Sequence, residues 1–144
     1  MQLKTVFDSN IYVAAALKPG GYADMWLDIA ALPQTGLKLF TSQPILDEVQ
    51  EKLVLTFGLP ALEVDCFIER LKQISLLVDP KEKIDAVKDD PDDNMILECG
   101  VAAKAQLIIS ADKHLLRLNP YLGIGIAHPR ELKNIFASDI DIKK

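Results

Sequence analysis

Cysteine is scarce in this chain. Only Cys66 and Cys99 occur, 33 positions apart among apolar neighbours in VDCFI and LECGV. Two such thiols supply neither a disulfide framework nor a zinc-binding pair, so both are expected to be buried packing residues in a reducing compartment. Histidine is equally sparse: His114 and His128 are each expected to be structural or surface residues, which leaves little for histidine-based acid–base catalysis. No apolar run approaches the ~20 residues of a membrane span. The opening MQLKTVFD passes directly into a strand-like segment. Positive charge is also short, with 16 Lys and Arg against 21 Asp and Glu and a net charge of −5. That balance argues against a passive nucleic-acid binder, which usually shows a basic surface. It leaves room for a nuclease whose acids gather in one pocket while local lysines meet phosphates, and it would attract a basic protein partner. There is no internal repeat and no low-complexity segment. A soluble cytoplasmic protein without a membrane segment is expected.

What is present is apolar and periodic. At 144 residues, 49% hydrophobic, the chain is long enough to bury a core without crosslinks. Strand-like and helix-like segments alternate, the pattern of an α/β fold with a parallel sheet. Strands are expected over residues 4–8, 37–42, 75–78, 106–110 and 123–127. Helices are expected over 10–17, 22–32, from Pro44 to about Gly58, and over 61–74, 94–105 and 112–118, with another short one from Pro129. Pro44 suits a first helical turn, where its missing N–H costs nothing. The helix over 94–105 is apolar nearly all round and is expected to lie deep against the sheet. The charged stretch 79–93 reads as a solvated connection up to Asp93. Residues 1–137 are expected to form one domain and 138–144 a flexible tail.

Four acids stand where strands run out into helices: Asp8 in TVFDSN, Glu48 in SQPILDEV, Asp93 in DPDDNMIL and Asp112 in IISADKHLL. Each has an ordinary alternative. Asp8, Asp93 and Asp112 are all placed to cap a helix N-terminus, with Asp92 a rival cap for Asp93, and Glu48 can be a solvated helix residue. Glu48 lies at the edge of the stripe made by Ile45, Val49 and Leu53, nearer to it than Asp47. Carboxyl ends of parallel strands share one edge of a sheet, the edge where open α/β folds bind ligands. Four carboxylates gathered there would repel and raise one another's pKa. A divalent cation with a taste for hard oxygen ligands, Mg²⁺ or Mn²⁺, relieves that repulsion. Ser42 and Ser110, at strand ends beside the acids, either help to hold a metal's water or act as caps.

These segments resemble PIN-domain ribonucleases, of the kind found as toxins in bacterial and archaeal toxin–antitoxin pairs (VapC-like). The resemblance runs nearly end to end through VFDSNIYVAAAL, TSQPILDEVQEKL, DPDDNMILECGVAAKAQLIISADKHLLRL and GIGIAHPREL. It departs at SAD, where Gly often replaces Ala111. It implies a single-domain three-layer sandwich with a central parallel sheet. It implies an endoribonuclease, a hydrolase of phosphodiester bonds, with Asp8, Glu48, Asp93 and Asp112 as catalytic metal-site acids and Asn10 as a polar companion. The cofactor would be Mg²⁺ or Mn²⁺, activating water without a histidine base. Lys113, Arg117 and the intervening His114 would meet RNA phosphates. The partners implied are an RNA substrate, a small cognate antitoxin and a second copy of the chain in a homodimer. Two other readings use the same acids: an inactive PIN-like module that binds RNA or protein, and a phosphotransfer domain. The latter is disfavoured because Asn10 stands where a phosphatase needs a second Asp, and because the late strand leads to Asp112 where a receiver needs Lys.

Overall fold

The computed structural model describes residues 2–88 and 90–139. Five parallel strands form its one sheet: β1 (Leu3–Phe7), β2 (Leu37–Ser42), β3 (Ser75–Val78), β4 (Leu107–Ile109) and β5 (Gly125–Ala127), in the order β3-β2-β1-β4-β5. The central strands are short apolar runs because both faces are covered: Val6, Phe7, Ile108 and Ile109 are fully buried. Chain order runs outward from β1 to β3 and then restarts at β4 on the other side of β1. The reversal between β1 and β4 is the topological switch point, where the ends of two adjacent strands diverge and leave a crevice.

The helices are α1 (Ser9–Leu17), α2 (Tyr22–Ala30), α3 (Gln43–Glu51), α4 (Ala61–Ile74), α5 (Pro91–Ala103), α6 (Lys113–Leu116) and α7 (Leu132–Asp139). Right-handed crossovers place α1 to α4 on one face of the sheet and α5 and α6 on the other, giving three layers. Gly100 allows α5 to lie close on the sheet, since a Cβ there would come 3.0 Å from Ile108 Cδ1. Trp26 of α2 packs edge-on against Phe136 of α7, with ring centroids 5.4 Å apart, which fastens the C-terminal helix to the first layer. Arg70 of α4 ties that helix to α2 through Asp24 at 2.7 Å and Asp28 at 2.8 Å. No helix among the described residues is long and apolar enough to cross a membrane.

Several elements depart from the sequence expectation. Helix α5 starts at Pro91, three residues early, because Asp90 caps it: the Asp90 carboxylate accepts from Asp92 N at 3.0 Å and Pro91 takes the first helical position. At its other end Lys104 turns left-handed (φ 54) and stops the helix at Ala103. The helix after Pro44 changes to a five-residue π turn, Lys52–Thr56. Strands β4 and β5 and helix α6 are shorter than expected, since their ends are drawn into caps and turns. Cys99 is buried but Cys66 is exposed, on the outward side of α4. Its apolar neighbours in sequence point to other sides of that helix, and the stripe that packs inward is Val64, Ile68 and Leu71. Asp89 and residues 140–144, most of the expected tail, lie outside the described residues.

Candidate active site

Asp8 follows β1 and occupies the N-cap position of α1, yet its carboxylate is not spent on the cap. It turns to the neighbouring strand. Ser110, directly after β4, donates its hydroxyl to Asp8 Oδ2 at 2.6 Å, and Ser110 Oγ in turn accepts from the backbone N–H of Asp112 at 2.9 Å. Ser9 donates to the other oxygen, Oδ1, at 3.3 Å. A backbone bond from Asp8 N to Ile109 O, 2.9 Å, holds the two strand ends in register. Burial raises the pKa of Asp8, and the Ser110 hydrogen bond partly opposes that shift.

Asp112 is both cap and site residue. Its Oδ1 accepts from His114 N at 2.7 Å, which orients the short helix α6. The same turn brings the His114 ring over the cluster, with Nδ1 3.7 Å from Asp112 Oδ1 and 3.9 Å from Asp93 Oδ2. Asp93 sits in the first turn of α5 and is only 5% exposed. Its pKa is pushed up to about 7, first by burial and then by the charges of Asp112, Asp90 and Asp8. Its Oδ2 is buried with no hydrogen-bond partner.

A second group adjoins the first. Glu48, one turn into α3, is half-buried, and Lys52 four residues on places its ammonium 2.9 Å from Glu48 Oε2. That contact lacks the alignment of a hydrogen bond, for Glu48 Oε2 has no hydrogen-bond donor of its own. Lys52 does donate to Asn10 Oδ1 at 2.8 Å, so it bridges α3 and α1. Asp92, exposed beside Asp93, has its pKa raised by partial desolvation and by the nearby Glu48 carboxyl. The Lys52 charge acts the other way on both Asp8 and Asp92.

The sheet edge therefore brings together Asp8, Asp93, Asp112 and Ser110, and sets Glu48 and Asn10 beside them with Lys52 between. Ser42 is also buried at the end of β2, but its hydroxyl makes no hydrogen bond there. Lys113 and Arg117 are exposed around α6 and form no ion pair among the described residues.

Three residues at this site take places that the sequence does not assign them. His114 reads from sequence as a structural or surface residue in reach of phosphates, because the direction of a four-residue helix is set by its cap, and the structure turns it over the acids. Asp92 had been treated as a rival of Asp93, although neighbours on a helix point about a quarter-turn apart and both can serve. Lys52 is the i,i+4 partner of Glu48, a spacing visible in the sequence.

The match to a known family decides what this edge is. The PIN domain family model matches residues 4–114, more than three-quarters of the chain, and spans all four acids. The chain belongs to the PIN domain family. PIN domains are generally nucleases that use divalent metal ions. This PIN domain is also similar to Uncharacterized protein MJ1680 of Methanocaldococcus jannaschii, 27% identical over 135 residues covering 89% of this chain and 84% of that protein.

The residues fit a divalent cation. One ligand atom from each of Asp93, Asp112 and His114 lies within 4.8 Å of the others. The buried, unpartnered Asp93 Oδ2 is the observation that makes the fit specific, because a buried carboxylate oxygen left without a donor is costly and a cation satisfies it. Carboxylate oxygens suit Mg²⁺ or Mn²⁺, and the imidazole nitrogen is the softer member of the set.

Proposed function

We propose that this PIN domain is a Mg²⁺- or Mn²⁺-dependent endoribonuclease, the toxin of a toxin–antitoxin pair acting in the cytoplasm. The observation that carries the reading is the convergence, in a PIN domain, of Asp8, Asp93 and Asp112 around an unpartnered carboxylate oxygen. In this reading Asp93 and Asp112 hold the cation, with His114 in reach. Asp8 completes the acid set from the adjacent strand. Such a cation supplies water activation near neutral pH and neutralises charge on the scissile phosphate.

The remaining residues position and balance. Ser110 fixes the Asp8 carboxylate by donating to Oδ2, while Oδ1 takes only the longer bond from the neighbouring Ser9 hydroxyl. Lys52 offsets the charge of Glu48 and holds Asn10, so that the second group of acids does not add its full repulsion to the first. Lys113 and Arg117 are free to meet backbone phosphates, contacts that position RNA without reading its sequence. A small basic antitoxin suits the net charge of −5. A homodimer is part of the same reading.

The test is cleavage of a structured RNA by the purified chain, with Mn²⁺ and with EDTA, beside Asp8→Asn. Cleavage with Mn²⁺ only, reduced at least ~100-fold in the variant, is expected; that is the upper range for loss of outer-sphere partners and a floor for a ligand acid. Cleavage that persists in EDTA refutes metal dependence. The toxin role is tested separately: expression of the chain should arrest growth and expression of Asp8→Asn should not.

A further inference from the structure

Beside the acid cluster lies a pocket of about 380 Å³ between α1, α2 and the segment that follows β5. Its floor is apolar and aromatic, with Phe7, Ile11, Trp26 and Ile109, while Lys18 and Tyr22 stand at its rim. It adjoins the cluster. Phe7 and Ile109 immediately precede Asp8 and Ser110, Ala111 lies between Ser110 and Asp112, and Asn10 is the residue held by Lys52. Trp26 is 4% exposed, and its indole N–H is buried without an acceptor. Tyr22 is 46% exposed, stands edge-on to Trp26 at 6.3 Å, and is fixed by donating its hydroxyl to Pro129 O at 3.0 Å. The volume is at the small end of the ~300–1,000 Å³ typical of ligand pockets. It suits a single flat group rather than a helix from a partner.

A flat ring answers the apolar and aromatic walls, and beside the acids, with a lysine at the rim, a nucleobase is such a ring. We propose that this pocket takes one unstacked base of the RNA substrate, from a nucleotide adjoining the scissile phosphate, with Lys18 meeting a neighbouring phosphate. The proposal rests on the ribonuclease reading above. It also gives that reading a preference for single-stranded RNA, whose bases can be splayed out while those of a duplex cannot.

Trp26 is the only tryptophan of the chain, so its emission reports on this pocket. The experiment titrates adenosine monophosphate, uridine monophosphate and ribose 5-phosphate into the full chain carrying Asp8→Asn, in EDTA. A saturable change in emission with at least one nucleotide and none with ribose 5-phosphate is expected. Adding Ala14→Leu, which fills the pocket from exposed α1, should weaken that binding at least tenfold. Ala14→Leu in the native background should retain the Mn²⁺-induced rise in melting temperature and show a raised KM for RNA. No response to nucleotide, an equal response to ribose 5-phosphate, or full binding by Ala14→Leu would each overturn the proposal. Emission that follows protein concentration and not nucleotide would instead assign the pocket to a second copy of the chain. Because the titration uses no metal and a variant disabled for cleavage, its failure leaves the nuclease reading to be judged by the RNA assay.

Discussion

At the scale of single residues, the site depends on a hydroxyl. Ser110 links the two strand ends by donating to Asp8 and accepting from Asp112 N. Ser110→Ala should lower Mn²⁺ affinity and RNA cleavage by ~10–100-fold, the usual loss when an outer-shell partner is removed. Isothermal titration with Mn²⁺ reads the first effect without reference to activity. Asp93 gives a second expectation. Its folded-state pKa of about 7 lies above the ~3.9 of an unfolded aspartate. Its protonated form is therefore the one the fold favours. The stability it contributes is full below pH ~4 and is lost as pH rises through about 7. Asp8 and Asp92, also raised, act in the same direction. Without metal, melting temperature should fall across that window, and Asp93→Asn should flatten much of the fall and melt higher at pH 8. Asp24 works with the opposite sign. The Gly20 N–H, and then Arg70, hold its pKa low, so its contribution is present above pH ~4 and lost in acid. A melting temperature in EDTA that rises from pH 4 to pH 8 would contradict this account of Asp93.

At the scale of elements, α5 carries the most consequence. Its Asn94 is buried and pins the charged connection in front of it: Oδ1 accepts from Ala86 N and Val87 N at 3.1 and 2.9 Å, and Nδ2 donates to Val87 O at 2.8 Å. Asn94→Ala leaves those backbone groups without partners, which should cost ~1–3 kcal/mol in urea unfolding and reduce metal affinity, because Asp92 and Asp93 share that first turn. Asn94→Asp keeps one acceptor and should fall between the two. The connection around Ala86 and Val87 is thus less free than its charge suggested. The strands were legible because buried parallel strands are short apolar runs, as in TVF and LII. The start of α5 was not, since DPDD offers three competing caps and only the proline settles which one the backbone uses. Glu48 was legible as the polar edge of the α3 stripe. His114 was not, because its direction follows from a cap bond that forms only once α6 has formed. Cys66 misled because local apolar neighbours do not specify which side of α4 faces inward.

At the scale of the whole molecule, the sheet order places the ends of β1 and β4 side by side at the switch point, and the acids accumulate there. A cation bound only by the folded state should therefore act as a global stabiliser, adding ~2.7 kcal/mol when its concentration is 100 times its dissociation constant. Mn²⁺ should raise the melting temperature of the native chain and leave that of Asp93→Asn nearly unchanged; an equal rise in both would mean that the ion binds elsewhere. This architecture was legible as an alternation of strands and helices, together with a four-segment resemblance. The pairing of Glu48 with Lys52 and Asp92 was not, since it requires α3 and the start of α5 to meet in space.

The bond between Ser110 and Asp8 joins residues 102 positions apart. A ribosome delivers the first of them early and the second only after three-quarters of the chain has been made. Until then Asp8 lacks the Ser110 hydroxyl, Asp112 does not exist, and the crevice between β1 and β4 has one wall. In the nuclease reading proposed above, the site is thus incomplete throughout most of the chain's own synthesis and is assembled only when its last third has docked. That late assembly is a property of the strand order. It follows from inserting a late strand next to the first.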